Sequence, residues 1–216
     1  MMAATTFNTL QQRIRKLEQE NVELRAAATT DAMTGALNWR GAEMALLQAA
    51  KRSNRTGSPL TILALDIDNF KAINDSGGHA AGDQALKNLV RELHGSIRST
   101  DSLARMGGDE FIIITDTSQS EAAIMGEKLL AVAQRVVFST GDGVERHLSI
   151  SIGVSEVHEH FKSHPSLVEA AMQRADGAMY RAKAWRLGSR QGVLHGADPD
   201  KLVLLTASPG GTLCIA

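Results

Sequence analysis

Two carboxylates stand side by side in the stretch Arg105-Met106-Gly107-Gly108-Asp109-Glu110-Phe111. The adjacent glycines mark a tight turn whose backbone can take a positive φ and approach a ligand closely. The run Phe111-Ile112-Ile113-Ile114-Thr115 is aromatic and β-branched, so it reads as a buried strand leaving that turn. A chain that only reverses direction needs no paired carboxylates there. Holding two such charges together is costly unless a cation lies between them.

A second acidic strand end lies upstream, in Leu60-Thr61-Ile62-Leu63-Ala64-Leu65-Asp66-Ile67-Asp68-Asn69-Phe70-Lys71. Its nearly continuous apolar run predicts a strand buried on both faces, ending in Asp66 and Asp68. Carboxylates from such a strand end and from a neighbouring hairpin turn are one way to build a Mg²⁺–polyphosphate site. Mg²⁺ takes oxygen ligands in octahedral geometry and commonly shares them with substrate phosphates.

The elements that must position these groups follow from the pattern of the chain. Residues 1 to 6 read as a loose end. From Phe7, Leu10, Ile14, Leu17 and Leu24 recur at spacings of three and four, with Asn21 in the remaining seam position. That short heptad pattern fits either a dimerising coiled coil or an amphipathic helix packed on its own domain. Charged flanks (Glu18, Glu20 and Glu23 against Arg13, Arg15 and Lys16) keep the helix solvated. Asp31 to Arg40 reads as the turn into the domain, with Asn38 capping a helix that runs to about Arg52. Ser53 to Pro59 reads as a loop, and Asn74 to Gly82 as a glycine-rich loop before a helix from Asp83 to about Ile97. Leu103 to Met106 pairs with Phe111 to Thr115 around the acidic turn. A helix from Ser120 to Val136 follows, then a Gly141-Asp142-Gly143 turn and a half-buried strand from about His147 to Val154. In that strand Ile150, Ile152 and Val154 share one face and Ser149 and Ser151 the other, a pattern that needs no chemistry. His158, His160 and His164 match no common zinc spacing and read as a solvated loop. His79 reads as holding the glycine-rich stretch in shape. Ser166 to about Leu187 reads as a helix, and the two apolar runs after Gln191 as an added hairpin on a sheet edge.

Composition narrows the classes. A chain of 216 residues, 43% hydrophobic and 22% charged, suits one ordinary domain with a short appendage. The formal net charge of −1 argues against a general nucleic-acid binder. The single cysteine, Cys214, excludes an internal disulfide and fits a reducing compartment. No apolar run is long enough to span a bilayer and the N-terminus has no signal-peptide core, so the expected location is cytoplasmic.

The acidic turn and its surroundings resemble the GGDEF family of diguanylate cyclases, bacterial signalling enzymes that condense two GTP into cyclic di-GMP. Gly107-Gly108-Asp109-Glu110-Phe111 is the family signature, intact. Around it, in the family's order, stand Asp31 to Arg40, Asp66 to Asp75, Gly78 to Asp83, Ser149 to Val154 and Ala175 to Lys183. The resemblance covers residues 31 to 190. It implies an α+β fold with a central, mostly antiparallel sheet flanked by helices, like the palm domain of nucleotidyl cyclases. The implied organisation is a stalk over 1–30, a catalytic domain over 31–190 and a tail over 191–216.

The resemblance also implies roles. Asp66, the Ile67 carbonyl, Asp109 and Glu110 would hold Mg²⁺ or Mn²⁺, and Glu110 would assist deprotonation of the attacking ribose 3′-hydroxyl. Asn74 and Asp83 would hold the guanine edge; Asn69, Phe70, Lys71 and Lys183 would meet the phosphates. Arg98 and Asp101, at Arg-x-x-Asp spacing before the signature, would form an inhibitory site for the product. The expected species is a homodimer, because each subunit would carry one GTP. The chain departs from the family pattern after Lys183, where Ala184-Trp185-Arg186-Leu187-Gly188-Ser189-Arg190 delays the expected glycine. That departure keeps a second reading open, a catalytically inactive receptor for GTP or cyclic di-GMP. A third reading is a dimerisation module with a vestigial site.

Overall fold

The computed structural model describes residues 2–140, 143–157, 173, 177, 203–207 and 213–215. Within them, helix α1 (Met2–Thr29) leads into α2 (Trp39–Thr56), strand β1 (Thr61–Ile67) and helix α3 (Phe70–His94). The hairpin β2 (Ser102–Gly107) and β3 (Glu110–Thr115) follows, then α4 (Gln119–Ala133) and a small hairpin of β4 (Val137–Ser139) and β5 (Glu145–His147). Strands β6 (Ile150–Glu156), β7 (Val203–Ala207) and β8 (Leu213–Ile215) complete the order.

The main sheet runs β2-β3-β1-β6-β7-β8, and every pairing in it is antiparallel. All seven residues of β1 are buried, as its unbroken apolar run requires of a strand covered on both faces. Alternation divides its side chains between two cores. Leu63, Leu65 and Ile67 pack with Leu86, Leu89 and Leu93 of α3 and with Leu129 and Leu130 of α4. Ile62 and Ala64 pack with Ala42, Leu46, Ala49 and Ala50 of α2 on the opposite face. The expected α+β class, an antiparallel sheet flanked by helices, is what forms.

Local boundaries depart from the sequence reading in instructive places. Helix α1 begins at Met2 rather than after a loose end. Its 28 residues make a rod of about 42 Å. Leu10, Ile14, Leu17 and Leu24 on it are all between 49% and 70% exposed. The apolar stripe therefore does not pack on its own domain. Helix α2 overruns the expected loop to Thr56, because Gly57 in the left-handed region closes it and donates to the Ser53 carbonyl. The glycine-rich stretch is not a loop. It is the first part of α3, broken only at Gly78, where φ is 75° and ψ 168°. Gly77 and Gly82 serve close packing instead: a β-carbon at Gly77 would meet the Ala81 β-carbon at 2.6 Å, and one at Gly82 would collide with the Asn74 side chain. The sequence signalled a turn here but not the two strands of the β4–β5 hairpin, which are three residues each and mostly polar. Strand β6 is buried on both faces rather than one.

Asn38 caps α2 as its sequence position implies, accepting from the Gly41 N–H at 3.0 Å. It does more, because its amide also donates to the Ala28 and Thr30 carbonyls at 3.1 Å each. One side chain thus closes the end of α1 onto the start of α2. Asn38→Ala should cost about 2 kcal/mol, the upper end for a helix cap, because two carbonyls lose a donor as well. Urea unfolding of wild type and variant measures it; a loss under about 0.5 kcal/mol would reduce the residue to an ordinary surface position.

Candidate active site

The acidic residues come from β1, the β2–β3 turn and the start of β3, all at the end of β1. Asp66 is 1% exposed and lies directly across from Glu110, the first residue of β3. The Ile67 N–H donates to the Asp109 carbonyl at 3.3 Å, continuing the ladder into the turn. Gly108 and Asp109 form the two-residue connection between Gly107 and Glu110. Gly108 has φ of 45°, a value that glycine adopts without steric cost. Space is not the constraint there, because a β-carbon at Gly108 would meet nothing within 4 Å. Asp109 is half-buried and Glu110 exposed, so the site runs from a buried carboxylate to open solvent.

Arg105 holds this turn. Its Nη2 and Nε both donate to the Gly108 carbonyl, at 2.7 and 3.0 Å, and its Nη1 donates to Asp31 Oδ1 at 3.1 Å. Only 12% of the Arg105 side chain is exposed. Asp31 is fixed in turn by the backbone N–H and hydroxyl of Thr34, at 2.9 and 2.6 Å. A β-bulge between Arg105 and Gly107 turns the guanidinium back toward the loop it clamps. No role for Arg105 was expected from the sequence, because its partner Asp31 lies 74 residues away.

Asp68 is not part of the acidic cluster. It is 8% exposed and accepts from the hydroxyls of Ser149 at 2.5 Å and Ser151 at 2.7 Å. The Ser149/Ser151 face, read in the sequence as plain strand, therefore faces a buried carboxylate.

The remaining residues fall into two groups. Asn69, the only non-glycine with positive φ among the described residues, starts α3 with Phe70 and Lys71; Asn69 and Lys71 are exposed. Asn74 and Asp83 are both half-buried and come together because the break at Gly78 folds the second half of α3 back on the first. The Asn74 amide lies over Gly82, next to Asp83, with Phe70 close by. Arg98 and Asp101 sit apart from this, in the turn between α3 and β2, where Asp101 Oδ2 accepts from the Arg98 N–H at 2.9 Å. The Asp101 carboxylate thus shapes its own turn, while the Arg98 side chain is exposed. Lys183 and the three histidines His158, His160 and His164 lie outside the described residues.

Among the described residues no group of three or more His, Cys, Asp and Glu side chains converges into a metal cage. The donors at the β1 end, oxygens from carboxylates and a carbonyl, nevertheless suit Mg²⁺. That ion is usually held by one or two carboxylates together with substrate phosphates and waters. A cleft of about 390 Å³ opens on the other flank of α3, lined by Asp68, Asn69, Ile73, Phe138, Arg146 and Ser149. It shares only Asn69 with the expected phosphate and guanine residues.

The model of the family described as "Diguanylate cyclase, GGDEF domain" matches residues 28–187. This chain belongs to the GGDEF family. The diguanylate cyclase DosC of Escherichia coli K12 is 35% identical over 178 residues, 82% of this chain and 38% of that protein. The chain thus spans between about a fifth and two-fifths of the length of the curated relatives it matches. A solved GGDEF domain of TpbB (YfiN) from Pseudomonas aeruginosa superposes with a TM-score of 0.64 at 34% identity, covering 72% of this chain and 89% of that one. The coiled coil and GGDEF domain of DgcB from Caulobacter crescentus shares the fold with a TM-score of 0.73 at 24% identity, covering 86% and 96%.

The Asp31–Arg105 pair makes the GGDEF turn pH-sensitive at the acid end. Burial acts to raise the Asp31 pKa and is the largest single influence, but the Thr34 hydroxyl and N–H and then Arg105 together outweigh it. The carboxyl is held below its ordinary 3.8. With the folded value below the unfolded one, Asp31 adds stability that is complete above 3.8 and lost as the pH falls through the folded value. Asp31→Asn should cost about 2 kcal/mol at neutral pH, and the gap to wild type should close in acid. Denaturant unfolding across that range checks both; a gap independent of pH would assign the loss to packing.

Proposed function

We propose that this chain is a diguanylate cyclase, joining two GTP into cyclic di-GMP with release of two pyrophosphates. The observation that carries the reading is the register that sets Asp66 across from Glu110, with Asp109 bonded through its carbonyl to Ile67. In this reading Asp66, the Ile67 carbonyl, Asp109 and Glu110 hold a divalent cation, Mg²⁺ or Mn²⁺. When bound, that ion supplies charge neutralisation for the triphosphate.

The protein's own groups do the rest. The Asp83 carboxylate accepts from the guanine N1–H and 2-amino group, and the Asn74 amide binds the same edge. Adenine does not offer those two donors together, so ATP would leave a half-buried acceptor unpaired. The N-terminal N–H groups of α3 around Asn69, Phe70 and Lys71 point toward phosphate oxygens, aided by the partial positive charge of a helix start. Lys183 neutralises phosphate from the C-terminal side. Glu110, exposed at the mouth, accepts the proton of the 3′-hydroxyl as its oxygen attacks the α-phosphorus of the opposing GTP. The P–O bond to that ribose forms as the bond to pyrophosphate breaks. Preorganised positioning and charge are what such a transfer needs.

Two half-sites must face each other, so the active species is a homodimer. The exposed apolar stripe of α1 supports a coiled-coil stalk over residues 1–30 joining two catalytic domains over 31–190. Residues 191–216 are an appended tail whose strands β7 and β8 extend the sheet beyond β6. Arg98 and Asp101 form the inhibitory site for the product, where the exposed guanidinium grips a phosphate or guanine edge.

The purified chain incubated with GTP and Mg²⁺ should yield cyclic di-GMP by chromatography, and Asp109→Ala/Glu110→Ala should yield none. Prior treatment with a phosphodiesterase removes bound product that would mask activity. No product from the treated wild type would overturn the proposal in favour of a receptor for GTP or cyclic di-GMP. Asp83→Ala should raise KM for GTP by about tenfold or more, the cost of one lost charged hydrogen-bond acceptor. An unchanged KM would remove the guanine edge from this pocket.

A further inference from the structure

Asp68 is a buried carboxylate to which the proposed reaction gives no work, and it sits between two segments that do have work. On one side is Ile67, whose carbonyl is proposed to meet the cation; on the other is Asn69, which opens the phosphate-facing start of α3. Three tethers fasten Asp68 to Ser149, the residue just before β6, and to Ser151 within it. Its N–H donates to the Ser149 carbonyl at 2.9 Å, and its carboxylate accepts the Ser149 and Ser151 hydroxyls at 2.5 and 2.7 Å. Both side-chain distances lie at the short end of the range for a hydroxyl donating to a carboxylate. Ser151 is also the residue directly across from Asp66 on β6, so the tether and the buried metal carboxylate share one rung of the sheet.

The start of α3 lacks the usual means of fixing a helix. Asn69, in the N-cap position, has φ of 55° and ψ of 33°, and its side chain makes no capping bond. An N-cap normally has extended backbone and a side chain that accepts from the first turn. Here the left-handed conformation has turned that side chain away, and it persists only if neighbouring contacts determine it. The Asn69 carbonyl accepts from the Ala72 and Ile73 N–H groups at 2.9 and 3.3 Å, and Asp68, the residue before it, adds its own bonds.

We propose that Asp68, Ser149 and Ser151 form a positioning anchor for the cation and phosphate site. The anchor pins the last residue before the chain reverses into α3. It thereby fixes the direction of the Ile67 carbonyl and of the α3 N-terminal N–H groups together. Asp68 itself touches neither ion nor substrate; it acts through its two neighbours in the chain. The inference rests on the reading of the site given above and extends it to residues for which that reading has no role.

The test is Mn²⁺ binding in the presence of a non-reactive GTP analogue, followed by electron paramagnetic resonance, which needs no turnover. Ser149→Ala/Ser151→Ala should raise the Mn²⁺ concentration for half-occupancy by about tenfold, as expected when hydrogen bonds to a charged group are lost. Ser149→Ala alone should show part of the effect; Ser149 is only partly buried and lines the open cleft, so that variant spares the core. Ser149→Thr keeps the hydroxyl and should restore binding to within about twofold of wild type. Thermal melting of each variant separates anchoring from general stability. Wild-type Mn²⁺ affinity in the double variant, or in Ser149→Ala should the double variant fail to fold, would overturn the proposal. A wild-type chain that binds no Mn²⁺ with the analogue would overturn the reading of the site itself, and the anchor with it.

Discussion

Strand β1 is buried along all seven of its residues, and Asp66 is inside that burial. A carboxylate at such depth is costly unless charge or hydrogen bonding nearby offsets its desolvation. Among the described residues the sheet accepts that cost at the end of β1, where β3 and β6 flank it with Glu110 and Ser151 directly opposite Asp66. The two apolar cores hold β1 between α2 on one face and α3 and α4 on the other. Close packing on both faces leaves the strand no freedom to shift register, since a slip of one residue would exchange the cores. The position of the acidic cluster is thus a consequence of how the hydrophobic residues alternate.

The turn opposite that strand is held by a side chain of β2 and, through it, by the segment that follows α1. Arg105 grips the Gly108 carbonyl with two donors and Asp31 with a third. Asp31 follows directly on the residues that close α1, so the turn and the end of α1 are joined through one guanidinium. Backbone bonds run in parallel: the Leu37 N–H donates to the Leu103 carbonyl at 3.0 Å, and the Arg105 N–H to the Leu37 carbonyl at 2.7 Å. A change in how α1 leaves the domain therefore reaches the β2–β3 hairpin through short, direct contacts. In a chain whose proposed chemistry needs two facing sites, that connection gives the helix a means to influence the geometry it delivers.

What could be read from the sequence was local. The run Leu60 to Leu65, the hairpin around the two glycines and the Asn38 cap each announce themselves within a few residues, because propensity and packing agree there. The family blocks pointed to the acidic residues and to Asn74 and Asp83, and the fold sets the Asn74 side chain against Gly82, the neighbour of Asp83. Reading failed where residues act across long separations. Asp68 finds its serines 81 and 83 residues away, and Arg105 finds Asp31 at 74. The stretch 74–82 misled for another reason. Its glycines suggested a loop, but Gly77 and Gly82 are there because side chains come too close for a β-carbon, and only Gly78 departs from helical backbone. Glycine composition alone does not separate those two demands.

The central claim is that the end of β1 and the clamped turn form one cation and nucleotide site. A crystal structure of the chain with Mn²⁺ and a non-reactive GTP analogue, with the metal located by its anomalous signal, tests it most directly. Mn²⁺ is expected against Asp66, the Ile67 carbonyl and the acidic turn, with guanine between Asn74 and Asp83. Metal or nucleotide seated elsewhere, such as the cleft beside Phe138 and Arg146, would contradict it.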